Sequence, residues 1–123
     1  MAKRALIMFA HGARDPRWAE PFRRLQQIVQ AQAPEITVSL AFLELMEPRL
    51  PALVGELVQQ GCGEATVVPV FFGQGGHVLR DLPVLIEQLK AQYPQLSLKA
   101  ASAVGEDAEV LNAIARYCIS TLG

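Results

Sequence analysis

Residues Val67–Pro83 read VVPVFFGQGGHVLRDLP, and this stretch decides the fold. An apolar, largely β-forming run stops at Gly73-Gln74-Gly75-Gly76, and residues at helical spacing take over beyond His77. A short continuous apolar run that gives way to helical periodicity marks a buried strand followed by a crossover helix. The same change recurs three more times along the chain.

Upstream, Ala5–Ala10 (ALIMFA) is a continuous apolar strand, and Trp18, Phe22, Leu25, Ile28 and Val29 then mark an amphipathic helix ending before Pro34. Thr37–Leu43 is a second strand. Leu50, Leu53, Val54, Leu57 and Val58 form the stripe of a second helix, with prolines near its start and Gly61 at its end. The third strand runs from Ala65 to Phe72, and its helix is expected to begin at Asp81 as N-cap, with Pro83 in the first turn. Ser97–Ala103 is the fourth strand. A last helix starts near Asp107, with Val110, Leu111, Ile114, Ala115 and Cys118 as its expected buried face.

Four alternating βα units imply right-handed crossovers and a four-stranded parallel sheet with helices on both faces. The expected fold is a single-domain α/β three-layer sandwich spanning residues 1–123. Pro69 breaks a local rule, because a strand proline lacks a ladder N–H, so a bulge or unpaired position is expected there.

With 123 residues, the chain is long enough to bury roughly two thirds of its unfolded surface without a staple. A net charge of -1 provides no basic field for nucleic acid. Cys62 and Cys118 form no CxxC pair and suit a reducing compartment. The apolar run after the N-terminal basic residues is too short for an export signal, and no stretch is apolar enough to span a membrane. A soluble cytoplasmic protein is expected, without membrane or nucleic-acid partners.

In open parallel sheets, ligands bind beyond the carboxyl ends of the strands. His11 follows the first strand, Glu44 the second and His77 the third, so three metal-capable side chains are expected at one edge. Each is weak alone, since a single histidine is more often structural and Glu44 could simply be solvated. Gly12, Gly75 and Gly76 beside the histidines would let a flat ligand approach the backbone. Arg14, Arg17, Arg49 and Arg80 follow on the same edge, near helix starts where acidic residues are electrostatically preferred. Guanidinium groups there suit a polyanionic ligand.

HGARDPR (His11–Arg17), AFLELMEPRLPALV (Ala41–Val54) and the Val67–Pro83 stretch together resemble the sirohydrochlorin chelatases, in particular the short CbiX type. The resemblance covers nearly the whole chain, through AVGEDAEVLNAIARY near its end. It implies the class II chelatase fold, of flavodoxin-like topology, and insertion of Co²⁺ or Fe²⁺ into sirohydrochlorin, a tetrapyrrole with eight carboxylates, for cobalamin or sirohaem synthesis. By that resemblance His11 and His77 bind the metal and accept pyrrole protons, and Glu44 completes the site. Ala13 stands where the family usually has serine. The short length implies a homodimer with the cleft between subunits, and no cofactor or ATP beyond the substrate metal.

Two other readings compete. A non-catalytic metal- or tetrapyrrole-binding protein would use the same edge without turnover. A phosphate- or nucleotide-binding flavodoxin-like domain would use the glycine loop, but it leaves both histidines unexplained, and no GxGxxG or GxxxxGK[ST] accompanies the loop.

Overall fold

A computed structural model describes residues 3–73 and 76–123, apart from the side chains of residues 76–79. The chain runs β1 (Lys3–Ala10), a 3-10 turn (Pro16–Ala19), α1 (Glu20–Gln32), β2 (Thr37–Phe42), α2 (Leu50–Gln59), β3 (Cys62–Pro69), α3 (Gly76–Gln92), β4 (Ser97–Ala100), a second 3-10 turn (Val104–Glu106) and α4 (Ala108–Ser120). All strand pairs are parallel and the sheet order is β2-β1-β3-β4. This is the expected four-stranded α/β architecture.

The central strand shows why its sequence is apolar on both faces. Ile7 and Phe9 point into a cluster with Leu50, Val54 and Leu57 of α2 and Leu82, Ile86 and Leu89 of α3. Met8 and Ala10 face the opposite cluster, with Val38, Leu40 and Phe42 of β2 and Phe22 and Val29 of α1. Strand side chains alternate between faces, so continuous hydrophobicity is what a doubly covered strand requires.

Three details depart from the sequence expectations. Pro69 causes no bulge: it is the last residue of β3, in regular register with Phe9, and the β1–β3 irregularity lies at Lys3/Arg4 instead. The Val70 amide donates to the Phe9 carbonyl at 2.8 Å, so the alternating position at Pro69 faces the β4 side. β4 ends at Ala100, so no ladder hydrogen bond is lost there.

The third helix begins at Gly76, before the expected cap at Asp81, and Pro83 lies inside it. The helix therefore runs through a proline that local rules place in a first turn, without the backbone hydrogen bond that its missing N–H would have donated. In α4 no residue is buried, which overturns the buried face expected for Val110, Leu111, Ile114, Ala115 and Cys118. Val110 and Ile114 are half-buried, whereas Leu111, Ala115 and Cys118 are exposed. The helix has the amphipathic pattern without a surface of its own domain to cover it.

Candidate functional site

β1 and β3 are neighbours in the sheet but not in sequence, so the strand order reverses between them. Such a reversal leaves a crevice at the carboxyl ends of the strands. His11 leaves β1 at this point, and Phe71 and Phe72 leave β3 beside it.

Two hydrogen bonds carry the β1–β2 ladder beyond both strands. The Leu43 amide donates to the Ala10 carbonyl at 2.8 Å, and the Glu44 amide donates to the His11 carbonyl at 3.0 Å. Gly12 makes the second contact possible. Its φ is +97°, and a Cβ at that position would overlap the Glu44 carbonyl oxygen. Only glycine combines the left-handed backbone with that close approach.

The chain then reverses through Leu45 at φ 67°, and the Phe42 amide donates to the Pro48 carbonyl at 2.9 Å. Arg49 reaches back, with Nη1 donating to the Leu43 carbonyl at 3.4 Å. The closed loop presents the exposed Glu44 at the rim next to half-buried His11.

The His11 ring lies 5.2 Å from the Phe71 ring, tilted by 59°, and Phe71 in turn meets buried Phe9 edge-on at 6.4 Å. A second glycine fixes this pair. The Gly105 amide donates to the Phe71 carbonyl at 3.2 Å, and a Cβ there would overlap the Phe72 backbone. The 3-10 turn after β4 is thus pressed onto the exit of β3. Gly105→Ala is expected to displace Phe71 and Phe72 and to destabilise the fold by about 1–3 kcal/mol, the usual range for overpacking, as measured by urea unfolding.

His11 opens into a cavity of about 330 Å³ walled by apolar side chains, among them Trp18, Phe22, Phe71 and Val104. On the other face of the sheet, Phe9, Leu43, Leu82 and Leu85 line a cavity of about 320 Å³. The edge therefore combines apolar walls with few polar groups, the usual make-up of a small-molecule site.

The arginines differ in their engagement. Asp15 caps the first 3-10 turn by accepting from the Arg17 amide at 2.9 Å, and its carboxylate holds the Arg17 guanidinium at 2.7 Å. That guanidinium, with the backbone bond, holds the Asp15 carboxyl below the usual carboxylate range, and Arg17 is raised in return. Arg14, Arg49 and Arg80 are exposed.

The structure brings the backbones of His11 and Glu44 together. His77 lies in the first turn of α3, but its side chain, like those of Gly76 and its neighbours to residue 79, is outside the described residues, as is Gly75 altogether. Among the described residues, no three His, Cys, Asp or Glu side chains gather to hold a metal. Sequence reasoning missed Phe71 and Gly105. The FF pair before the glycine loop was a visible signal for the first, but nothing local marks the second.

The family model for CbiX matches residues 5–120. The chain belongs to the CbiX family. A crystal structure of a CbiX protein from Marinobacter aquaeolei VT8 superposes with a TM-score of 0.86 at 31% identity, covering 97% of each chain. SirB from Bacillus subtilis, solved with Fe³⁺, matches with a TM-score of 0.78 at 25% identity over 93% of this chain and 45% of that one. Among curated relatives, a sirohydrochlorin cobaltochelatase of Methanocaldococcus jannaschii is 34% identical over 82 residues. That stretch is 67% of this chain and 57% of the relative. The resemblance read from the three motifs is thus borne out for family and fold. Among the described residues, no helix is long and apolar enough to cross a membrane.

Proposed function

We propose that this CbiX-family chain inserts Co²⁺ or Fe²⁺ into sirohydrochlorin. The observation that carries the proposal is the joint at the carboxyl edge, where the Glu44 amide bonds the His11 carbonyl at 3.0 Å and an apolar cavity opens beside the imidazole. The names of the relatives support the same chemistry.

In this reading the divalent ion is a substrate, held by His11, by Glu44 and by His77 from the first turn of α3. Neutral imidazoles and a carboxylate suit Co²⁺ and Fe²⁺, and grip them less firmly than thiolates grip softer ions. Insertion releases two pyrrole protons, and an imidazole is the side chain suited to accept one. The apolar walls take the face of the macrocycle, with Gly75 and Gly76 allowing its close approach. Arg14, Arg49 and Arg80, with Arg17 steadied by Asp15, meet its carboxylates at the rim. The reaction needs no ATP or resident cofactor and takes place in the cytoplasm, in a homodimer whose two carboxyl edges face a shared cleft.

The test follows the absorbance of sirohydrochlorin mixed with Co²⁺ or Fe²⁺. The parent protein is expected to insert metal, and His11→Ala and His77→Ala are each expected to slow it about 10²-fold or more. Insertion by either variant at the parent rate would overturn the assigned roles. Tight metal binding without insertion would make the chain a non-catalytic binding protein instead.

A further inference from the structure

The third helix leaves one acid without the task its sequence assigned. Asp81 stands where a cap was expected, yet α3 begins at Gly76, so Asp81 is already in the second turn. A cap serves the first turn, and the pull of the helix dipole on an acid fades beyond that turn. Neither accounts for a carboxylate at this position.

Two placements give Asp81 another task. His77 precedes it by four residues in α3, and residues four apart share one face of a helix, with Cβ atoms about 5–6 Å apart. Asp81 also lines the cavity of about 320 Å³ together with Phe9 of β1 and Leu43, the residue before Glu44. It therefore stands at the carboxyl edge, with the Glu44 loop across the cavity. Pro83 adds a reason for a side-chain tie here. Without an N–H it gives the carbonyl of residue 79 no helical donor, so the turn that bears His77 is held by one backbone bond fewer.

We propose that Asp81 is a positioning residue for His77: its carboxylate accepts a ring N–H of the imidazole and so fixes which nitrogen is left to take the metal. A ligating histidine uses one ring nitrogen and presents the other as a donor. A carboxylate on that donor sets the tautomer, steadies the ring and raises its basicity toward the ion. The inference deepens the metal-insertion reading proposed above and rests on it, but its first test needs neither metal nor turnover.

The ring-nitrogen NMR signals of His77, recorded on the metal-free protein in mildly alkaline buffer, report the tautomer. The parent is expected to show two well-separated nitrogens, the pattern of a single tautomer. In Asp81→Ala they are expected to draw together through exchange, with Asp81→Asn in between, because a neutral acceptor holds the N–H less strongly than a charged one. Calorimetric titration is expected to show Co²⁺ affinity reduced about 10–100-fold in Asp81→Ala. Asp81 is exposed, so alanine leaves the core intact, and far-UV circular dichroism is expected to show unchanged helix content. Glu87→Gln is the control, since it removes an exposed acid from the same helix, 3.7 Å from Lys90, and is expected to match the parent in both measurements.

Unchanged His77 nitrogens in Asp81→Ala would overturn the positioning role even if affinity fell, because a carboxylate that bound the ion directly would leave the tautomer alone. Unchanged Co²⁺ affinity with an altered tautomer would overturn it as well. A parent that neither binds nor inserts Co²⁺ would instead overturn the metal-insertion reading itself, whatever the nitrogens show.

Discussion

Gly12→Ala is expected to abolish metal insertion, with a loss of 10²-fold or more, although the substitution adds a single methyl group. The methyl has no place to go: it would overlap the Glu44 carbonyl oxygen, and the backbone at φ +97° is one that an L-residue adopts only at a cost of about 1–2 kcal/mol. Relief requires the β1 and β2 exits to separate. That breaks the 3.0 Å bond from the Glu44 amide to the His11 carbonyl and shifts the proposed ligands relative to each other. A misplacement of about 1 Å is enough for a 10²-fold loss in rate. Single-turnover insertion measured with saturating Co²⁺ and sirohydrochlorin, beside a thermal melt, checks the effect. A folded Gly12→Ala protein with the parent rate would show that the His11–Glu44 joint does not organise the reaction.

Phe9→Ala is the substitution with the largest expected effect on stability, about 3–5 kcal/mol by urea unfolding. Phe9 is 0% exposed on the central strand, within the cluster shared by α2 and α3. Domains of this kind are stable by only about 5–15 kcal/mol, so the loss removes a large fraction of the margin. The vacancy also takes away the ring against which Phe71 rests edge-on, and Phe71 is the ring beside His11. Reduced Co²⁺ affinity is therefore expected even at temperatures where the variant remains folded, and a calorimetric titration measures it.

The contrast between two glycines shows how far the sequence could be read. Gly12 sits beside a histidine at a strand end, and that position alone marks it as a point of close approach. What approaches it, though, is the Glu44 backbone, as well as any ligand. Gly105 has no such neighbour in sequence. Its role exists only because β4 returns beside β3 and brings the following turn onto Phe72, a contact between residues more than thirty positions apart. Phe71 is a similar case, since periodicity places it at the end of a strand but does not say that its ring meets His11.

Hydrophobic pattern and turn chemistry by themselves determined the order of the elements, the parallel sheet, and the edge at which His11 and Glu44 emerge. These follow from local spacing: a continuous apolar run can be satisfied only by a strand covered on both faces, and each such run is followed by a helical stripe. Tertiary structure decided the backbone bond between His11 and Glu44, the seat of Gly105, the harmless terminal place of Pro69 and the exposure of α4. The physical reason is that an amphipathic stripe states what a helix must bury but not against which surface. Where the launch of a helix is fixed by a turn clamped to another strand, the three-dimensional fold alone settles whether that surface belongs to the same chain.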